Sequence, residues 1–168
     1  DFKNSADLLV TDDILKEAKN KVDSQLIYAM QLAYERIYQY HLRQMPKDFT
    51  YEDQSGNKLG NRWKAIESIA AYVPGGTALY PSSVLMGVVP AIVAGVKNIA
   101  IAVPSMSGKI NDCVLAACDI CGVKTIYKIG GAAAVAALAY GTKTVKKVDK
   151  IVGPGNNFVA LAKKQLFG

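Results

Sequence analysis

The chain has 168 residues, 51% of them hydrophobic and 20% charged, with a formal net charge of +6. That length suits one domain or one and a half, and the composition excludes global disorder. Residues 1–60 carry ten acidic and eight basic side chains, whereas residues 61–168 carry four acidic and twelve basic ones.

A one-sided basic charge attracts phosphate-bearing ligands. Most of these lysines are scattered, however, with only Lys146-Lys147 and Lys163-Lys164 adjacent. They read as a solvated face, and the scarcity of Arg with interleaved aromatics argues against nucleic acid as a partner. The longest apolar stretch, Val84 to Val96, is interrupted by Pro90 and is too short to span a bilayer. No membrane partner is expected. Asp1 is not followed by a secretory signal pattern, and both Asp1 and Gly168 read as cuts within something longer.

Residues 11–44 read as one long amphipathic helix. Thr11 is its N-cap, Asp12 and Asp13 suit its first turn, and Pro46 stops it. Leu15, Ala18, Val22, Leu26, Ala29, Ala33, Ile37 and Tyr40 recur at spacings of three and four. His41, the only histidine, falls in the last turn and reads as a helix-end cation or packed ring. Residues 49–69 read as two short strands around Ser55-Gly56, the first at Phe49–Tyr51 and the second at Ile66–Ile69.

From Ala70 the pattern alternates strand and helix. Strands are expected at Ala71–Val73, Asn98–Val103, Lys124–Ile129 and Lys150–Val152. Helices are expected from Ser82, as cap, to about Gly95 with a kink at Pro90, then at 111–121, from Gly130-Gly131 to Tyr140, and at Asn156–Leu166. Four strand–helix units in series imply a parallel sheet covered by helices. The fold class is therefore α/β: an incomplete Rossmann-like, three-layer parallel sheet at 70–168, preceded by a first region, 1–69, with the long helix and the strand pair.

Three glycine-rich turns lie where strands end and helices begin: Tyr72-Val-Pro-Gly-Gly76, Ile129-Gly-Gly-Ala-Ala133 and Val152-Gly-Pro-Gly-Asn156. Such turns allow close backbone approach, and the helix behind each offers free N–H groups to an anion. None is a GxGxxG or GxxxxGK[ST] loop. Together they point to a nucleotide or dinucleotide site at the carboxyl ends of the strands. Gly155 and Asn156 are the donors of the third turn, since Pro154 has no N–H. Asn156 also suits a plain N-cap, and Tyr72 a strand-end aromatic packed on the sheet.

Catalytic groups are scarce. Asp112 reads as a first-turn helix acid, Asp119 as an exposed helical residue, and Asp149 as a partner of Lys147 or Lys150. Ser105 and Ser107 have no histidine near them in sequence, and Lys109 is a remote base. Cys113, Cys118 and Cys121 fall at helical spacing and read as small core thiols rather than a redox or zinc site. Their odd number and the missing signal favour a reducing, cytoplasmic compartment.

The order of the motifs resembles histidinol dehydrogenase over nearly the whole chain. It is carried by Tyr72-Val-Pro-Gly-Gly, Tyr80-Pro-Ser-Ser-Val-Leu-Met, Pro90-Ala-x-x-Ala-Gly-Val, Ile129-Gly-Gly-Ala, Ala136-Ala-Leu-Ala-Tyr-Gly and Val148-Asp-Lys-Ile-Val-Gly-Pro-Gly-Asn156. Tyr40-His-x-x-Gln-x-Pro46, Gly56-x-x-Leu-Gly60 and Trp63 agree.

The resemblance implies an enzyme of histidine biosynthesis that takes L-histidinol to L-histidine through histidinal in two NAD-dependent oxidations. It implies a zinc ion, a Glu-His pair, two related incomplete dinucleotide-binding domains and a homodimer. Carried over by motif, NAD contacts fall on Tyr72 and Asn156, with Gly153 and Gly155 alongside. A further contact falls on Ala133, where the family's GGAQ motif has Gln. Ser68-Ile-Ala70 replaces Arg-Val-Gly, and Ala65 replaces a Pro. The catalytic pair and the zinc ligands are expected beyond Gly168, so no catalytic or metal residue is assigned to this chain, and it is expected to be inactive alone with weak or absent NAD binding. The alternative is a reduced, non-catalytic relative acting as a nucleotide-binding or assembly module.

Overall fold

The helix expected over residues 11–44 is two helices, α1 (Asp12–Lys21) and α2 (Ser24–Leu42). The computed structural model describes residues 5–75, 80–105 and 108–167; the sequence readings at Gly76, Ser107 and the two chain ends lie outside these. Thr11 caps α1 as expected, its hydroxyl accepting from the Ile14 N–H. Val22 is then extended, and the Asp23 carboxylate accepts from the N–H groups of Gln25 and Leu26, starting a second helix. A short acidic side chain that bonds its own following amides offers the backbone an alternative to helix continuation. The apolar stripe crosses the break because both helices cover one core: α1 packs on α4 (Asp112–Ile120) and α2 on α3 (Pro81–Val93).

The strand pair is also differently drawn. β1 (Phe49–Glu52) pairs antiparallel with β2 (Lys58–Asn61), with Phe49 opposite Asn61. The Asp53 carboxylate accepts from Ser55 N–H, Asn57 N–H and the Asn57 amide, and these bonds hold its carboxyl below the usual carboxylate range. That turn closes the hairpin at once, so its second strand follows immediately rather than at Ile66–Ile69. Those residues instead lead into β3 (Ser68–Tyr72).

β3, β4 (Asn98–Ala102), β5 (Thr125–Tyr127) and β6 (Lys150–Val152) form one parallel sheet in the order β5-β4-β3-β6. α3 and α4 cover one face of it. α5 (Gly131–Tyr140) and α6 (Asn157–Gln165) cover the other. Reversing direction across the sheet while keeping the crossover hand moves the helices to the opposite face. Helix α3 starts at Pro81, not under a Ser82 cap, since proline suits the first helical position.

Side chains alternate between two cores. Ala71, Val73, Ile101, Val103 and Ile126 face α1–α4, while Ala70, Tyr72, Ala100, Ala102 and Tyr127 face α5 and α6. Strands buried on both faces read as continuous apolar runs, which is why the sheet was visible in the sequence.

Two polar links tie elements together at the surface. Lys19 Nζ meets the Asp119 carboxylate at 2.7 Å, joining α1 to α4. Asp149 is held by Ser68 rather than by Lys150. Its carboxylate accepts from the Ser68 N–H and hydroxyl, each at 2.8 Å, and its own N–H donates to Ser68 Oγ at 3.1 Å. These bonds, with a weaker pull from Lys147, hold the Asp149 carboxyl below its ordinary value. They set β6 beside β3 in the register Ala70↔Ile151.

Two outcomes follow. Asp23→Ala is expected to lower unfolding free energy by about 1 kcal/mol, measured in urea, through loss of the α2 cap. For Asp149 the folded carboxyl is the stronger acid, so its contribution is present above the unfolded value of about 3.9 and is lost as pH falls through the folded one. Asp149→Asn is expected to be less stable than wild type at pH 7 and to lose less stability between neutral and acid pH, measured by thermal midpoint.

Candidate functional site

The strand order reverses between β3 and β6, and in open parallel sheets the crevice for a ligand opens at the carboxyl ends of the strands at such a point. β3 ends there in Tyr72, which is buried. Its hydroxyl accepts from the Gly131 N–H, the first residue of α5, at 3.0 Å. Its carbonyl lies against Gly153, just past the end of β6. Gly153 has φ of 104°, and a Cβ there would fall on the Tyr72 carbonyl oxygen. Both facts demand glycine at this position.

Beyond Gly153 the chain turns through Pro154 and Gly155 into α6. The Cβ position of Gly155 is taken by Val159. Asn156 is exposed and caps α6, its side-chain oxygen accepting from the Val159 N–H at 3.1 Å. Helix α5 begins differently: Gly130 is its N-cap and gives no side-chain bond. Pro104, after β4, fills the space beside both Gly75 and Gly130, so the three loops after β3, β4 and β5 meet. Ala133 lines a cavity of about 450 Å³ with Pro104, Ser105, Gly130, Thr142 and Thr144.

Tyr72 and Gly153 are in contact and Gly155 and Asn156 follow in the same turn, whereas Ala133 lies in a neighbouring cavity on α5 that none of these four lines. Tyr72 touches the turn before α6 with its backbone and the start of α5 with its hydroxyl, and α5 packs on α6. Two further participants were not read from the sequence. Pro104, which packs beside Gly75 and Gly130, was assigned no role. Lys163 looked like one of a solvated pair, yet its ammonium donates to the Gly153 carbonyl at 2.5 Å. Partial burial pushes the Lys163 pKa down. Helical side chains lean toward the helix start, and that direction was the available signal.

The remaining reactive groups lie elsewhere. Cys118 and Cys121 are buried in the α1–α4 core, and burial raises both thiols, Cys121 to about 12. That is the opposite of a reactive thiolate. His41 sits in the last turn of α2 with its ring edge-on to Tyr40, centroids 5.3 Å apart. Among the described residues no three His, Cys, Asp or Glu converge as a metal site. None of the described helices is long and apolar enough to cross a membrane. A separate cleft of about 750 Å³ opens beside α4, lined by Pro74, Gly75, Lys109, Asn111 and Lys128 among others.

Gly153→Ala is expected to destabilise the chain by more than about 1 kcal/mol, because both φ and space exclude a side chain. Denaturant unfolding of the two proteins measures it, and an unchanged midpoint contradicts the packing described.

Comparison with known proteins agrees with this architecture. The histidinol dehydrogenase family profile matches residues 1–168. The chain is 59% identical over 159 residues to the histidinol dehydrogenase of Agrobacterium fabrum, covering 95% of this chain and 37% of that one. It is 54% identical over 164 residues to that of Mesorhizobium japonicum, covering 98% and 38%. The crystal structure of histidinol dehydrogenase from Elizabethkingia anophelis superposes with a TM-score of 0.93 at 37% identity, over 98% of this chain and 38% of that one. The chain thus spans a little over a third of the length of these relatives. In sequence and in fold it belongs to the histidinol dehydrogenase family.

Proposed function

We propose that this chain is the cofactor-side portion of an NAD-dependent histidinol dehydrogenase, which in a homodimeric cytoplasmic enzyme takes L-histidinol to L-histidine through histidinal. The observation that carries the reading is the β3–β6 reversal, where Tyr72 lies against Gly153 and the glycine turn leads through Gly155 to the Asn156 cap of α6. Glycine turns followed by helix starts suit a dinucleotide. Two helices start on the same side of the sheet; the Tyr72 hydroxyl takes the first α5 amide, at Gly131, and Gly130 as N-cap offers no side chain to the amides that follow. Tyr72, Gly153, Gly155, Asn156 and the start of α5 at Ala133 would hold the cofactor. NAD, when bound, supplies the hydride acceptor.

Within this chain the residues bind and orient. Tyr72 fixes the position of α5 through Gly131, and Asn156 fixes the first turn of α6. Nothing here is assigned the alcohol proton. Oxidation needs a base close to the reacting carbon, and His41 lies at the end of α2, packed on Tyr40. Zinc does not fit the described residues, which offer no converging donor set, so no step is routed through it. The Glu-His pair and metal ligands are assigned to the part of the longer enzyme that this chain does not cover.

The second reading, a non-catalytic nucleotide-binding or assembly module, is favoured by one observation. Ala133 puts a methyl group where the GGAQ motif has an amide.

Calorimetric titration with NAD tests the cofactor reading and the role of position 133. Weak binding by wild type and about two- to tenfold tighter binding by Ala133→Gln are expected, the range of one recovered hydrogen bond. Equal affinity removes the role given to position 133. Mixed with histidinol, NAD and zinc, the isolated chain is expected to produce no reduced nicotinamide. Turnover that survives His41→Ala and removal of trace host enzyme contradicts the division of labour proposed.

A further inference from the structure

The turn after β6 has few bonds of its own. The β3–β6 register ends at Ala71↔Val152, one residue short of Gly153. Gly153 is in a backbone region that glycine enters and leaves freely, and Pro154 has no N–H to donate. Packing limits the turn on both sides, through Tyr72 against Gly153 and Val159 against Gly155. Packing excludes side chains but does not hold a carbonyl in one direction.

The Gly153 carbonyl is held by Lys163 Nζ at 2.5 Å. Lys163 lies in the second half of α6 and reaches back over the helix toward its start, the direction in which helical side chains lean. The bond links residues ten positions apart, so it ties the turn to the body of the helix. A hydrogen bond from an ammonium is about twice as strong as one between neutral groups. Lys163 is partly buried and its neighbour Lys164 is exposed, so the pair divides into one placed and one solvated cation.

We propose that Lys163 is a positioning residue of the crevice: its ammonium clamps the Gly153 carbonyl and holds the Gly153–Pro154–Gly155 turn in the shape that presents Asn156 and the start of α6 to the ligand. The consequence for cofactor affinity rests on the dinucleotide reading given above; the clamp itself does not.

The test compares wild type, Lys163→Met, Lys163→Arg and Lys164→Met by amide hydrogen exchange, with thermal midpoints measured alongside. The amides of Val159 and Ala160 report on the turn, because both donate to Asn156. Lys163→Met is expected to speed their exchange about tenfold or more, the scale of one hydrogen bond to a charged group, while β4 amides keep their protection. Lys163→Arg is expected to restore most of it, and Lys164→Met to leave it unchanged. NAD affinity is expected to fall in step with exchange in Lys163→Met. Unchanged exchange at Val159 and Ala160 in Lys163→Met overturns the clamp, and so does loosening that spreads equally through β4. If exchange responds as expected but wild type binds no NAD, the clamp stands and the cofactor reading fails. If NAD binds with equal affinity to wild type and Lys163→Met, the cofactor reading stands and the positioning role fails.

Discussion

The close approach of Gly153 to the backbone of Tyr72 is the constraint on which the carboxyl edge of the sheet depends. It fixes how near β6 can lie to β3 at the point where the strand order reverses. The same tyrosine carries the constraint sideways, because its buried hydroxyl takes the first amide of α5. One residue thus sets the β6–α6 turn through its main chain and the β5–α5 turn through its side chain. The foot of β6 is set independently by the Ser68–Asp149 bonds. The strand, three residues long, is thus held at both ends as well as by its ladder with β3.

Tyr72 and Asn156 each have a structural role, and each is also proposed as a cofactor contact. Tyr72 is a buried aromatic packed under α5 and α6, and Asn156 is an N-cap. These structural roles do not compete with a binding role. A ligand at a helix start meets whatever organises that start, and a cap or a bonded hydroxyl is part of that organisation.

How much was legible in the sequence divides along physical lines. The four parallel strands and the helices α4, α5 and α6 were readable because their signals are local: continuous apolar runs, a Gly-Gly start, and an Asn cap at 156. The break at Val22–Asp23 was hidden because the apolar stripe continues through it. Only the Asp23 side chain marks it, and an aspartate there reads equally well as surface. The hairpin was mispaired because Ile66–Ile69 looked more strand-like than Lys58–Asn61. Tertiary burial, not propensity, sent those residues to the sheet, while all eight residues of the hairpin strands remain exposed. Within the candidate site the glycine turns announced themselves, whereas Lys163 and Pro104 did not. Their roles come from contacts with chain segments ten or more residues away; the backward lean of helical side chains hints at the one made by Lys163, and no local pattern encodes those of Pro104.

Family membership and fold agree on a parallel α/β sheet, and the central proposal concerns where on that sheet NAD would be met. Backbone amide shifts followed by NMR during NAD titration test it most directly. The account predicts shifts concentrated at Gly131, Ala133, Gly153, Gly155 and Asn156, on the α5–α6 side of the β3–β6 reversal. Shifts confined instead to Lys109, Asn111 and Asp112 beside α4, or no saturable shifts at any amide, would contradict it.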